Sequence, residues 1–395
     1  MRARQVCARA DVLVVGGGPS GSTAAALLAA QGFRVVLLEH SHYESARFGE
    51  VLSPRVVPLL ESLGVMQHFL AGGHLPSPGV VSAWGGLESE RPSLMNPYGD
   101  GWCVDRVGFD HMLARAATDA GVTLYVGARL NRLARGTAGS GWVIDFSSEN
   151  RAYTTRTRFL VDATGRPAKL ARQLGAQQER VDRLVAVVAL GETVTGADTR
   201  MLVESSESGW WYSAPLRSGQ TVFAYLTDAD LIPRSHNGCR WNALDAALRS
   251  APCTFERARG ITFSKTRVVS AASTHLLTPA GLGWLAVGDA ANAFDPLSAH
   301  GVVRAISSGF YAAQVVAEYL SVTKQANDRA LIEDYVRQCS LSWHRYLSER
   351  NQIYGSEKRW PDSVFWRRRR SEQAGDVMAT SHNRLAFHPV LASSR

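Results

Sequence analysis

Three glycines in the spacing Gly16-x-Gly18-x-x-Gly21, followed after 18 residues by Glu39, form a constellation able to hold a dinucleotide. Each residue has its own task. Gly16 permits a tight turn, Gly18 lets the backbone approach a pyrophosphate, and Gly21 lets a helix pack closely on a strand. A helix beginning at Pro19 and Ser20 would offer free N–H groups and partial positive charge to the phosphates. Glu39 can accept hydrogen bonds from ribose hydroxyls, and its charge repels a 2′-phosphate. These residues disfavour NADP and leave FAD and NAD open.

A second glycine–acid pair, Gly288-Asp289, lies far along the chain and is followed by Asp295-Pro296 and His300-Gly301-Val302. An aspartate directly after a strand and a glycine can reach a polyol hydroxyl. A helix opening at Gly301 can stabilise negative charge on a ring that becomes anionic when reduced. Glu50, in the segment Arg47-Phe-Gly-Glu50, and His300 are candidates for assisting proton transfer.

The elements that must position these residues are readable from local pattern. Val12–Val15 is a short β-rich run, Ser22–Gln31 an alanine-rich helix, and Arg34–Glu39 a second strand ending in the acid. Phe159-Leu-Val-Asp162-Ala-Thr-Gly165 is another strand running into a glycine turn. Trp210–Leu216 and Thr221–Thr227 alternate apolar residues about the turn at Arg217–Gln220, which predicts a hairpin. Aromatic faces at Trp210, Tyr212, Phe223 and Tyr225 could clamp a planar substrate and exclude water. From about Ser308 to Gln352 the spacing predicts helices.

In this order, Gly16–Gly21, Gly288-Asp289 and Asp295-Pro296 with Gly301 resemble the FAD-dependent aromatic hydroxylase superfamily, which also holds flavin-dependent halogenases and geranylgeranyl reductases. The resemblance spans roughly residues 10–320. It implies FAD over NAD, with Asp289 on the ribitol chain and the Gly301 helix pointing at the flavin pyrimidine. Trp102–Asp110 resembles the segment whose arginine, here Arg106, meets FAD phosphate or flavin. Arg47–Pro54 resembles a stretch beside the isoalloxazine, usually read Gly-Glu-Ser, with valine here in place of the serine. The subgroup using bound NADPH usually has glycine directly after the aspartate at Asp162. Here Ala163 and Thr164 intervene, and they put direct, tight NADPH use in doubt.

Trp210-x-Tyr212-x-x-Pro215 resembles the halogenase Trp-x-Trp-x-Ile-Pro motif with two replacements. Halogenases also need a lysine in the first part of the chain to handle hypohalous acid, and this chain has none before Lys169. Gly209–Leu216, Asp295–Ser298 and the C-terminal series Tyr346, Arg350, Tyr354, Glu357–Pro361, Phe365-Trp366 resemble a narrower group. These are the maturation-type flavoprotein monooxygenases, which hydroxylate tryptophan in a partner protein during tryptophylquinone cofactor biogenesis. That group usually has glutamine near position 300, where this chain has His300.

The resemblance implies an α/β chain: a Rossmann-like FAD-binding domain of the p-hydroxybenzoate hydroxylase type, an inserted mixed β-sheet substrate domain, and a C-terminal helical region. The expected segments are 10–80, 101–175 and 265–320 for FAD, 81–100 and 176–264 for substrate, and 321–395 for the C-terminal region. The expected chemistry is oxygen transfer from a flavin C4a-hydroperoxide to an indole or phenol, free or within a peptide or partner protein. NADH or NADPH would supply electrons, directly or through a flavin reductase. An FAD-dependent reductase of lipid-like alkenes, a halogenase and a non-catalytic flavin-bearing interaction protein are the alternatives.

Composition bounds the rest. The 395 residues are 45% hydrophobic and 20% charged, which suits globular domains and excludes a disordered or collagen-like chain. No stretch approaches the ~20 apolar residues of a membrane span. The first ten residues are basic, but no apolar core follows them, so they do not read as a secretion signal. Five scattered cysteines without a C-x-x-C pair argue for a reducing, cytoplasmic setting and against a metal site. The net charge of +8 rests on arginine. It is read as solvated surface over nucleic-acid binding. The arginine-rich 367–370 segment is expected to cap the domain with a solvated face.

Overall fold

In the computed structural model, residues 5–6, 9–45, 47–92, 96–136, 141–192, 198–233, 244–264, 266–321 and 328–370 are described. The apolar runs Val12–Val15, Val35–Leu38 and Phe159–Asp162 pair in parallel at the heart of a six-stranded sheet. Its order runs Ala280–Gly281, Trp284–Ala286, Phe159–Asp162, Val12–Val15, Val35–Leu38, Thr123–Tyr125. Both faces of the central strands are covered, which explains continuous apolar runs where an exposed sheet would alternate.

Helices Pro19–Ala30 and Gly301–Leu320 pack together on this sheet. Gly309 allows the close approach. A Cβ there would lie 2.7 Å from the Ser20 carbonyl oxygen and 2.8 Å from Thr23 Cβ. The glycine-motif helix and the helix about 280 residues downstream are thereby fixed against each other.

A seven-stranded sheet forms the second layer, in the order Arg267–Ser270, Leu184–Glu192, Gln220–Asp228, Gly209–Pro215, Met201–Ser206, Gly79–Trp84, Leu87–Pro92. Arg267–Ser270, expected in the FAD-binding part, pairs with Leu184–Glu192 and extends the seven-stranded sheet. The predicted hairpin is present, turning at Gly219 with φ +75°.

Its register corrects the expected aromatic wall. Trp210 faces Leu226 and Tyr212 faces Ala224 across the pair, whereas Trp211 faces Tyr225 and Ser213 faces Phe223. Opposed residues of an antiparallel pair share a sheet face. Trp210 and Tyr212 therefore lie on one face, and Phe223 and Tyr225 lie on the other, in a core with Trp211, Leu244 and Leu248.

The chain then runs through helix Asp328–Ser356, about 44 Å long, and a final helical segment at 364–370. Tyr335 ties the long helix to the parallel sheet by donating to the Ala286 carbonyl at 2.7 Å. The arginine-rich segment departs from the expected solvated face. Arg369 is 1% exposed and donates to Asp228 at 2.9 Å, while Arg368 reaches Asp228 and Asp230. Among the described residues, no helix is long and apolar enough to cross a membrane.

Candidate active site

The three motif glycines divide by what surrounds them. Gly16 has φ +111°, and a Cβ there would sit 2.1 Å from the Ala163 carbonyl oxygen. A Cβ on Gly21 would lie 1.9 Å from the Gly16 carbonyl oxygen. The fold itself forbids any other residue at these two positions. Gly18 differs, because its φ of −75° suits any residue and a Cβ there would meet nothing within 4 Å. Gly18 instead opens onto a cavity of about 990 Å³, whose wall it shares with Gly16, Pro19 and Ser20. That volume lies at the upper end of small-molecule sites, about 300–1,000 Å³.

Glu39 ends its strand with only 2% of its surface exposed. Burial pushes its pKa up, but hydrogen bonds from Ser41 and Gly17 and the Arg47 charge outweigh burial and hold the carboxyl below its usual range. Gly17 N donates to it at 2.7 Å and Arg47 at 3.0 Å. Arg47 and Arg106 also converge on Asp110, at 2.7 Å and 3.0 Å, and this fully buried acid fixes both guanidiniums at the cavity wall. Across the cavity, Gly288 has φ +61°, and a Cβ there would lie 2.6 Å from Ser20 Oγ. The turn carrying Asp289 is thus pressed against the motif helix. Asp289 remains part-exposed in the cavity, with Arg166 Nε 3.5 Å away.

Pro296, Gly301, Val302 and Ala305 bring the start of the 20-residue helix Gly301–Leu320 to the same cavity. Its first-turn N–H groups provide partial positive charge there. His300 occupies the helix N-cap, half-buried, while Ala299 and Gly301 on either side form the wall. The wall at this point is formed by these two neighbours and not by His300 itself.

A further part of the wall is supplied by the seven-stranded sheet. Trp210, Tyr212, Val222, Ala224 and Leu226 face the cavity, opposite Glu50. Glu50 is 5% exposed, and burial lifts its pKa above the usual carboxylate range against the opposing effect of a Gly49 N–H at 3.0 Å. The Tyr212 hydroxyl lies near this carboxyl without the geometry of a well-formed hydrogen bond. Burial and the Glu50 charge push that phenol well above its ordinary range. Of the four expected substrate aromatics, Trp210 and Tyr212 reach the cavity and Phe223 and Tyr225 do not.

Sequence reasoning missed three wall or supporting groups. Asp110 follows Arg106 by one helical turn, an i,i+4 spacing that signals such a pair. Arg166 donates to the Ala272 and Phe294 carbonyls at 2.6 and 2.7 Å, long-range contacts with no local signature. Tyr354 joins the two halves of the site: Trp210 Nε1 donates to its hydroxyl at 3.0 Å, and that hydroxyl donates to Asp295 at 2.7 Å. The four-residue spacing of Tyr346, Arg350 and Tyr354 was the signal, since it places all three on one buried helix face.

The open cradle at Gly18, the buried acid at Glu39 and the second glycine–acid turn fit a bound FAD. A model of the FAD binding domain matches residues 9–348. LodB of Marinomonas mediterranea, whose name places it among FAD-dependent oxidoreductases, is 32% identical over 371 residues, 92% of this chain and 98% of its own. A tryptophan 2-halogenase of Chondromyces crocatus is 29% identical over 356 residues, 85% of this chain and 66% of its own. Among solved structures, the myxobacterial chondrochloren halogenase CndH shares the fold with a TM-score of 0.82 at 23% identity, over 95% of this chain and 90% of that one. The peptidyl tryptophan dihydroxylase QhpG, essential for tryptophylquinone cofactor biogenesis, shares it with a TM-score of 0.72 at 23% identity, over 92% and 79%. This chain belongs to the FAD-binding-domain family, within the superfamily of FAD-dependent aromatic hydroxylases and halogenases, and is a flavoenzyme of the oxidoreductase class.

Proposed function

We propose that the chain is an FAD-dependent monooxygenase that inserts one oxygen atom into an electron-rich aromatic ring, and that its substrate is an indole or phenol, with a tryptophan residue of a polypeptide favoured. The observation that carries this reading is the substrate side of the cavity. An indole, a phenol and aliphatic residues line it together with the buried acid Glu50. Lys169, the sole lysine among the described wall residues, lies instead beside the Thr164 turn, where its backbone N–H donates to Thr164 Oγ1 at 2.8 Å. Halogenation calls for a lysine beside the substrate, and hydroxylation of a nucleophilic ring does not.

Bound reduced FAD supplies the activated oxygen. The chain's own residues do the rest. Gly18 and the Pro19–Ala30 helix hold the pyrophosphate, Glu39 the ribose, and Asp289 the polyol chain. The N-terminus of the Gly301 helix stabilises negative charge beside the ring system. Trp210 and Tyr212 orient the aromatic substrate, and Val222, Ala224 and Leu226 keep water out. Glu50, whose pKa burial raises, can hold a proton and return it at its carboxyl oxygens. Electrons come from NADH or NADPH through a separate flavin reductase, a reading supported by Ala163, whose carbonyl is locked beneath Gly16 where the NADPH-binding subgroup carries a glycine.

Halogenation is the second reading, favoured by the likeness to the tryptophan 2-halogenase. One assay separates the two. Chemically reduced, FAD-loaded protein is mixed with air, bromide and tryptophan-containing peptides, and the products are weighed. A product heavier by one oxygen atom, unaffected by bromide, supports monooxygenation. A brominated product overturns it, and an oxygen-independent reduction of an alkene would point to the reductase branch of the superfamily.

A further inference from the structure

Four of the ten tryptophans gather in one place, and they form a path. Trp210 lies in the cavity wall. Its ring centroid is 6.3 Å from Trp84, Trp84 is 5.5 Å from Trp366, and Trp366 stacks on Trp360 at 5.9 Å with an 18° tilt. Trp360 is part-exposed, so the path runs from cavity to solvent. Tyr354 sits at its inner junction. Its ring is 5.9 Å from both Trp84 and Trp366, and its hydroxyl accepts from Trp210 and donates to Asp295.

Packing alone does not call for this chemistry. A phenylalanine at 354 would fill the same space without burying a hydroxyl, which is costly to desolvate. Asp295 is 2% exposed and itself reaches the cavity. The Arg350 and Arg369 guanidiniums sit 5.0 and 5.2 Å from the Tyr354 ring centroid. Two cations beside the ring oppose any positive charge on it, so this tyrosine can lose an electron only if its proton leaves too. Asp295 Oδ2, 2.7 Å from the hydroxyl oxygen, is placed to take that proton.

We propose that Trp210, Tyr354 and Asp295 form a proton-coupled redox relay that carries one-electron oxidising equivalents from the flavin cavity, by way of Trp366, to Trp360 at the surface. The oxidant is a one-electron acceptor formed in the cavity, either a photo-excited oxidised flavin or an oxygen radical released by unproductive turnover. It takes one electron from the Trp210 indole. Tyr354 returns an electron to Trp210, its O–H bond breaks, and the proton bonds to Asp295, leaving a neutral tyrosyl radical and a carboxylic acid. An electron from Trp366 and the proton from Asp295 then restore Tyr354. Trp360 refills Trp366, and a soluble thiolate reduces Trp360 and becomes a thiyl radical. The relay removes damaging equivalents from a site built to handle activated oxygen. It rests on FAD occupying the cavity.

The full-length, FAD-loaded protein is excited in the blue flavin band, and transient absorption follows tryptophanyl and tyrosyl radicals. Wild type should form a tyrosyl radical, more slowly in heavy water. Tyr354→Phe keeps the ring and should abolish that radical and shorten charge separation about tenfold. Trp366→Phe should lengthen the tyrosyl lifetime about tenfold in the presence of thiol, because the exit is cut. FAD content and circular dichroism check each variant independently. Identical radical spectra and decays in wild type and Tyr354→Phe, at equal FAD content, overturn the relay. Absence of bound FAD in wild type overturns the flavin-site reading and the relay with it.

Discussion

Gly18→Ala separates what the fold needs from what the cofactor needs. The backbone there is at φ −75° and a Cβ meets nothing within 4 Å, so the apoprotein accommodates the methyl group. Reduced entropy of the unfolded chain contributes about 0.4–1 kcal/mol of stability. Alanine is a poorer N-cap than glycine, which costs a similar few tenths to one kcal/mol. Apoprotein stability should therefore change by less than about 1 kcal/mol. The methyl group would, however, stand where the pyrophosphate must approach the helix N-terminus. Displacing it weakens one or two hydrogen bonds to a charged group, at about 1.5–3 kcal/mol each. A total near 2–4 kcal/mol raises the Kd for FAD about 30- to 1,000-fold. Thermal melts of apoprotein and fluorescence titration with FAD measure the two effects separately. Gly16→Ala is the contrast: with φ +111° and a carbonyl oxygen 2.1 Å from the new Cβ, it should destabilise the apoprotein itself by about 1–3 kcal/mol. An FAD affinity for Gly18→Ala within about threefold of wild type would refute the assignment of this opening to the pyrophosphate.

Three further outcomes follow from the described geometry. Burial raises the Glu50 pKa, so the folded protein binds that proton more tightly than the unfolded chain; the stabilisation is full below the unfolded value near 4.5 and is lost as pH rises through the folded value. Glu50→Gln, always neutral, should gain stability relative to wild type as pH rises above about 5, and a melting-temperature profile that runs parallel to wild type would contradict this. Arg369→Ala strips a buried partner from Asp228, and because Arg368 still reaches Asp228 the loss should sit near the low end of the range for broken buried pairs, about 3 kcal/mol in urea unfolding; a change under about 1 kcal/mol would show that the pair is dispensable. His300→Ala should leave both FAD content and product formation within about threefold of wild type, and a hundredfold fall in single-turnover rate would restore His300 as a proton-transfer group.

The nucleotide end of the site was legible because its information is local. Gly16, Gly18, Gly21 and Glu39 are bound together by one turn, one helix and the next strand, and their spacing alone fixes their geometry. The substrate wall was only half legible. Alternation shows that a strand has two faces, but which face of Gln220–Asp228 joins Trp210 depends on register, set by the Leu216–Gly219 turn. Aromatic content alone points to Phe223 and Tyr225, whereas the pairing of Trp210 with Leu226 points to Val222, Ala224 and Leu226. The C-terminal arginines were misjudged for a related reason. A run of charges usually faces solvent, and the acid that buries this one, Asp228 for Arg369, lies 141 residues away. Nothing local announces such a partner.

Oxygen insertion is tested most directly by the origin of the atom in the product. FAD-loaded protein, reduced under anaerobic conditions, is mixed with isotopically labelled dioxygen and a panel of indoles, phenols and tryptophan-containing peptides for a single turnover. Mass spectrometry should find one labelled oxygen atom in an aromatic product, in proportion to the reduced flavin consumed. A product formed equally well without oxygen, or carrying a halogen in place of the label, would contradict the monooxygenase reading.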